Sequence, residues 1–260
     1  MLELNLHDGV ATLAIRRPEK KNAFVTAMWA ALGDHCRALA QAATARAPGS
    51  ARVLVLQGEP GAFCAGADIE EMSALVADPA ALAESNRIVL ESQLALQQLP
   101  LPTIALIDGP CFGGGLGLAV GCDFRLASSR ASFAVTPSRL GLLYSIEDTR
   151  RLVRLLGDHR ARRLLLRGER LDASTALAWG LLDELTEPEW LAATAERWVG
   201  EFARASRTSM AGIKATLALL SHSGGATEAA VRAAFDAAFI GADFAEGAAA
   251  FLARREPQFR

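Results

Sequence analysis

Four glycines fall within the eight residues CFGGGLGL (Cys111–Leu118), between the aliphatic run PTIALIDG (102–109) and an apolar run with helical character. A backbone this bare serves a tight turn, a positive φ, or the close approach of another group to the main chain. The spacing excludes a dinucleotide turn: Gly115 and Gly117 are followed three residues later by Val120, where G-x-G-x-x-G requires glycine. Neither a phosphate-binding G-x-x-x-x-G-K-[ST] loop nor a G-x-S-x-G elbow occurs. What remains is either a ligand-free turn or a helix start whose unpaired N–H groups, at the positive end of the dipole, stabilise a developing anion. A second stretch, AFCAGADI (62–69), has the same character: it follows the run RVLVLQG, carries small residues at the turn and leads into a helical pattern. Two such turns are able to face one carbonyl oxygen.

Short β-branched and aliphatic runs bounded by turn residues predict strands at 10–15, 52–58, 102–109 and 123–128. Ala/Leu-rich segments predict helices over 25–43, 71–98, 115–121, 146–167, 173–179 and 188–205. Strands alternating with helices mean an α/β core. The first three strands recur roughly every 50 residues, as in a repeated strand-and-helix unit wound into a spiral. Beyond about 206 the strand signals stop, and Asp243 with Glu246 resembles the capping box of a final helix. Such an Ala-rich tail reads equally as an oligomerisation element or as a cover over its own body.

The 260 residues suffice for a full core without staples. Hydrophobic residues make up 51%, but charge or glycine interrupts every apolar run before the length a membrane span requires. The N-terminus lacks the basic start and continuous apolar centre of a signal peptide, so a cytoplasmic protein with no membrane partner is expected. Cys36, Cys64, Cys111 and Cys122 show no C-x-x-C spacing and do not pair with the four histidines at ligand-like intervals. Buried reduced thiols and no metal site are expected. A formal charge of −2 argues against a nucleic-acid partner.

The pair AFCAGADI and IDGPCFGGGLGLAVGCDFRLAS resembles the signature of the crotonase superfamily, the enoyl-CoA hydratase/isomerase fold. The resemblance extends over nearly the whole chain: RRPEKKNA (16–23) looks like the early CoA-contacting loop, GLLDEL (180–185) the final core strand and FLARREPQF (251–259) the end of the C-terminal helix. It implies a crotonase-like α/β spiral over 1–205, with a helical oligomerisation segment over 206–260 and a homotrimeric or homohexameric assembly. It also implies an acyl-CoA substrate, with coenzyme A entering as part of the thioester and no prosthetic group. By motif position, Ala67 and Gly114 are the backbone donors to the thioester oxygen. Ala65, Asp68 and Ile69 lie along the adenine and pantetheine path, and Ala23 belongs to the early loop. Lys21 and Arg254 resemble phosphate contacts, the latter from a neighbouring subunit; both read equally as solvated surface charges.

The resemblance also exposes two departures. Hydratases carry two glutamates for proton transfer, and the matching positions here are Gly117 and Pro137, neither of which can move a proton. Standard hydration is therefore disfavoured. The segment FAVTPSRLGLLY (133–144) is similar to that of methylmalonyl-CoA decarboxylases, whose T-P-x-x-L-G-x-x-Y spacing places a tyrosine in the active site. Tyr144, the only tyrosine, is the corresponding candidate, as a donor to a carboxylate or an enolate. Glu147 and Asp148 follow on the next helix, either as helix-start carboxylates or as a displaced base serving isomerisation. The expectation is a thioester-enolate enzyme with decarboxylase-like or isomerase chemistry; the alternative is a catalytically silent CoA-ester binder or scaffold.

Overall fold

The computed structural model describes residues 1–59, 61–221 and 225–259. Positions 222–224 and 260 of the expected C-terminal segment lie outside the described residues. In chain order the elements are β1 (Leu2–His7), β2 (Val10–Ile15), α1 (Thr26–Thr44), β3 (Val53–Gly58), α2 (Ile69–Leu75), α3 (Pro79–Gln97), β4 (Thr103–Ile107), β5 (Pro110–Phe112), α4 (Gly114–Gly121) and β6 (Phe124–Ser128). There follow β7 (Ser132–Ala134), α5 (Ile146–Arg167), β8 (Leu171–Asp172), α6 (Ala173–Trp179), β9 (Glu184–Thr186), α7 (Leu191–Arg204), α8 (Arg207–Leu220), α9 (Glu228–Phe239) and α10 (Ala242–Leu252).

Six strands form one sheet in the order β1-β2-β3-β4-β6-β9, antiparallel only between β1 and β2. Its central strands are aliphatic on both faces because helices cover both. Leu54 and Leu56 enter a large cluster with Leu13, Ile15, Leu32 and Leu116, whereas Val53, Ile104 and Leu126 meet Leu191 and Ala195 of α7 on the other face. Each such fully buried side chain contributes about 1.5–3 kcal/mol. Strands β2, β3 and β4 run parallel, so the segments that leave them, 16–25, 59–68 and 108–113, gather at one edge of the sheet. That edge, at the carboxyl ends of parallel strands, is where α/β sheets bind ligands. A small second sheet, β5-β7-β8, stands beside it.

The α/β architecture expected from the sequence is present, and several boundaries differ. The helix expected over 71–98 is two helices, because Pro79 starts α3 and Asp78 caps it, its carboxylate accepting the Ala80 and Ala81 N–H groups at 3.0 Å each. The strand expected within 180–185 begins only at Glu184, since Gly180 ends α6 at φ 81°. Asp243 and Glu246 do not form a capping box: Asp243 accepts the Ser206 hydroxyl at 2.6 Å, and Glu246 accepts Arg255 and the Gln258 N–H. Strand β1 lies outside the four strands expected. It pairs with β2 through a two-residue turn at Asp8 and Gly9, both in the left-handed region.

Candidate active site

The two glycine-bearing turns are bound to each other by main-chain hydrogen bonds. The Phe63 and Cys64 N–H groups both donate to the Pro110 carbonyl at 3.0 Å, and Phe112 N–H donates back to the Cys64 carbonyl at 2.9 Å. Gly115 is obligatory at this seam, because a Cβ there would overlap the Cys64 carbonyl oxygen. Gly113 sits at φ 49°, ψ −118°, and its N–H donates to Ala134 of β7, which turns the chain into α4. On the other side, Ala65 N–H donates to Lys21 and Asp68 N–H to Phe24, so segment 16–25 forms a third wall.

Among the described residues no hydrogen bond uses the Ala67 or the Gly114 N–H. They lie side by side: a Cβ on Gly66 would stand 3.3 Å from Gly114 N, and one on Gly114 would stand 3.6 Å from Ala67 N. Gly114 is the first residue of α4, so the helix dipole adds to its N–H. An oxygen that gains negative charge between these donors is stabilised without reorganisation of the protein.

Tyr144 reaches the same place from the segment before α5. Its hydroxyl donates to the Gly113 carbonyl at 3.1 Å. That carbonyl and the Gly114 N–H belong to one planar peptide unit, so the phenol holds the plane whose N–H faces the site. Burial pushes the phenol well above its ordinary pKa, and the nearby Asp148 charge pushes it further, which keeps it a protonated donor. The half-buried Glu147 makes no hydrogen bond among the described residues, whereas Asp148 is buried and paired with Arg151 at 2.7 Å. The cysteine expectation holds at this site: burial lifts the Cys64 thiol to about 12 and raises that of Cys111 as well, leaving neither a nucleophile.

The residues expected along a CoA path are distributed unevenly. Ala65 and Ile69 flank the turn, Ile69 exposed as the first residue of α2. Asp68 is buried and already committed: it caps α2 by accepting Glu71 N–H at 3.0 Å and pairs with Arg17 at 2.7 Å, which together hold its carboxyl below the usual range. Ala23 is buried, with its carbonyl accepting from Arg17 at 3.1 Å, while Lys21 is exposed in the left-handed region. Arg254 lies two residues beyond α10, in the left-handed region, and among the described residues no hydrogen bond or ion pair joins it to either turn. Two positioning residues were not anticipated. Arg17 ties Asp68 to segment 16–25, and the buried Asn22, at φ 58°, donates to the Ala62 carbonyl at 2.7 Å and accepts Arg17 N–H at 2.9 Å. An asparagine closing a charged turn is the available signal for the second.

A cleft of about 470 Å³ opens beside Tyr144, lined on α5 by Ile146, Thr149, Arg150, Val153 and Arg154. A larger cavity of about 690 Å³ lies between α8, α9 and the amino ends of β3 and β4, so it does not communicate with the paired turns through the strand edge that bears them. No helix of the described residues is long and apolar enough to cross a membrane.

The chain is similar to known proteins over its full length. The enoyl-CoA hydratase/isomerase family model matches residues 5–260. A probable enoyl-CoA hydratase, echA6, of Mycobacterium bovis is 32% identical over 100% of this chain and 99% of its own. The 1,2-epoxyphenylacetyl-CoA isomerase of Escherichia coli is 32% identical over 98% of this chain and 96% of its own. A crystal structure of an enoyl-CoA hydratase/isomerase family protein from Hyphomonas neptunium superposes with a TM-score of 0.91 at 32% identity, covering 100% of this chain and 97% of that one. Sequence, fold and relatives thus agree along the whole length, and the chain belongs to the enoyl-CoA hydratase/isomerase family.

Proposed function

We propose that this protein acts on a coenzyme A thioester whose carbonyl oxygen lies between the N–H groups of Ala67 and Gly114 while chemistry proceeds at the α-carbon. The observation that carries the reading is the pair of adjacent main-chain donors that no hydrogen bond among the described residues uses. As the α-carbon bond breaks, its electron pair delocalises onto the thioester oxygen, and the two donors hold the resulting enolate. Tyr144 is then a positioning residue: it fixes the Gly113–Gly114 peptide so that the second donor stays aimed. Ala23, Lys21, Ala65, Asp68 and Ile69 surround the entry for the nucleotide and pantetheine, Asp68 acting through Arg17 and the cap of α2.

Gly117 and Pro137 offer no proton-transfer group, so isomerisation or decarboxylation is favoured over standard hydration. The isomerase activity named for the Escherichia coli relative, and that of the trans-2-decenoyl-[acyl-carrier-protein] isomerase of Streptococcus mutans, 29% identical over 98% of this chain, support the isomerase branch. A turnover screen over 2-enoyl-, 3-enoyl- and 2-carboxyacyl-CoA thioesters tests the reading. Consumption of a 3-enoyl or 2-carboxyacyl thioester is expected. Binding with no turnover of any thioester would instead establish the silent binder.

A further inference from the structure

Gly117 lies one helical turn beyond Gly114 on α4 and is buried. A Cβ there would stand 2.7 Å from Oδ2 of Asp148 and 2.9 Å from Nε2 of Gln93, inside both van der Waals shells. The bareness of position 117 is therefore what admits a carboxylate from α5 against α4, a turn below the free Gly114 N–H. Asp148 is 3% exposed. Its N–H donates to the Ser145 hydroxyl, which places it in the first turn of α5 where the dipole favours an anion. Oδ1 accepts a 2.7 Å bond from Arg151, whose guanidinium is itself fixed by Gln97 of α3 at 2.6 and 3.2 Å. Among the described residues Oδ2 accepts one long bond, 3.2 Å, from Gln93. A carboxylate oxygen has two lone pairs, so Oδ2 retains an accepting position on the side of α4.

We propose that Asp148, seated in the space that Gly117 leaves open, is the proton-carrying carboxylate of the active site. The proposal rests on the thioester reading above and narrows it to double-bond isomerisation. Asp148 takes a proton from the α-carbon of a 3-enoyl thioester, and the C–H electron pair delocalises into the dienolate held by Ala67 and Gly114. The same proton is then delivered to the γ-carbon as the electrons return, so one C–H bond breaks, one forms, the double bond moves by one position, and nothing is oxidised or reduced. The charged and titratable groups around Asp148 are Arg151 and Glu147 on its own helix and the Tyr144 phenol before it; α3 presents the neutral Gln93 and Gln97, and α4 presents Gly117.

The test uses purified protein and 3-hexenoyl-CoA, with thermal stabilisation by hexanoyl-CoA measured alongside. Asp148→Asn keeps volume and still accepts from Arg151, so stabilisation by hexanoyl-CoA is expected to persist while kcat falls by about 10²- to 10⁴-fold with little change in KM. Gly117→Ala, which keeps the carboxylate but displaces Oδ2, is expected to lower kcat in the same direction. Arg151→Gln keeps the carboxylate but removes the bond that fixes Oδ1, so kcat is expected to fall while hexanoyl-CoA still stabilises the protein. A purely structural Asp148–Arg151 pair would lower the melting temperature in all three variants and leave kcat of the folded protein unchanged. Full turnover in folded Asp148→Asn, or hexanoyl-CoA binding by the unmodified protein with no turnover of the 3-enoyl thioester, would overturn the role of Asp148. Absence of any stabilisation by hexanoyl-CoA would instead sink the thioester reading beneath it.

Discussion

Replacing Tyr144 by Phe removes one hydroxyl and leaves the ring in place, so stability should change little. The Gly113–Gly114 peptide loses its anchor, and a donor that works mainly in the transition state should lower kcat and kcat/KM together. One such hydrogen bond contributes about 1 kcal/mol net, hence a fall of about five- to tenfold. Steady-state kinetics on the best thioester from the screen checks it, and a rise in KM alone would assign the phenol to ground-state binding. Asp68 permits a pH prediction. Its carboxyl is held below the usual range by Glu71 N–H and Arg17, so its contribution to stability is present above the unfolded value of about 3.9 and is lost as pH falls through the lower folded value. Asp68→Ala, which also removes the cap of α2, should cost about 1 kcal/mol or more at neutral pH, and its deficit should shrink on acidification below that window. Thermal melts of both proteins across acid pH read this directly. At this scale the two small-residue turns were legible as turns, and the choice of Ala67 and Gly114 within them rests on the family resemblance. The pairing of Asp148 with Gly117 was not, since it depends on how α3, α4 and α5 pack together.

The seam between the paired turns and α4 makes its own demands on single elements. Gly115→Ala would drive a methyl group into Cys64, and relief requires the turns to separate. A loss of about 1–3 kcal/mol is expected, together with lost activity, and denaturant unfolding measures it. Gly114→Pro is the complementary probe. Proline is tolerated at the first position of a helix, so the variant should fold while lacking one donor, and turnover should fall by about two to three orders of magnitude. The long elements β2, β3, β4, α1 and α5 were readable from hydrophobic period and length. The alternation LELNLH followed by Asp-Gly was a hairpin signal for β1 as strong as any in the chain. Strands β5, β7 and β8, two or three residues each, carry no period at all and exist because the small sheet catches them. Pro79 with Asp78 before it was the readable reason for two helices where one continuous pattern runs.

In the whole molecule, helices α8–α10 and the turn between α9 and α10 leave large apolar side chains uncovered: Ile240 is 90% exposed and Phe251 83%, and Phe235 and Phe239 on α9 are exposed as well. The proposed homotrimer or homohexamer would cover this surface, and light scattering should return three or six times 27.5 kDa. Composition alone leaves an oligomerisation element and an intramolecular cover open, because Ala-rich helices serve both. The thioester site is tested most directly by the infrared carbonyl stretch of a bound acyl-CoA carrying ¹³C at the thioester carbon. Bound between the Ala67 and Gly114 donors, the carbonyl should absorb at lower wavenumber than in water, and Gly114→Pro should reverse most of that shift at saturating ligand. A bound thioester whose carbonyl absorbs as it does in water, or a shift that survives intact in folded Gly114→Pro, would contradict a site built on these two donors.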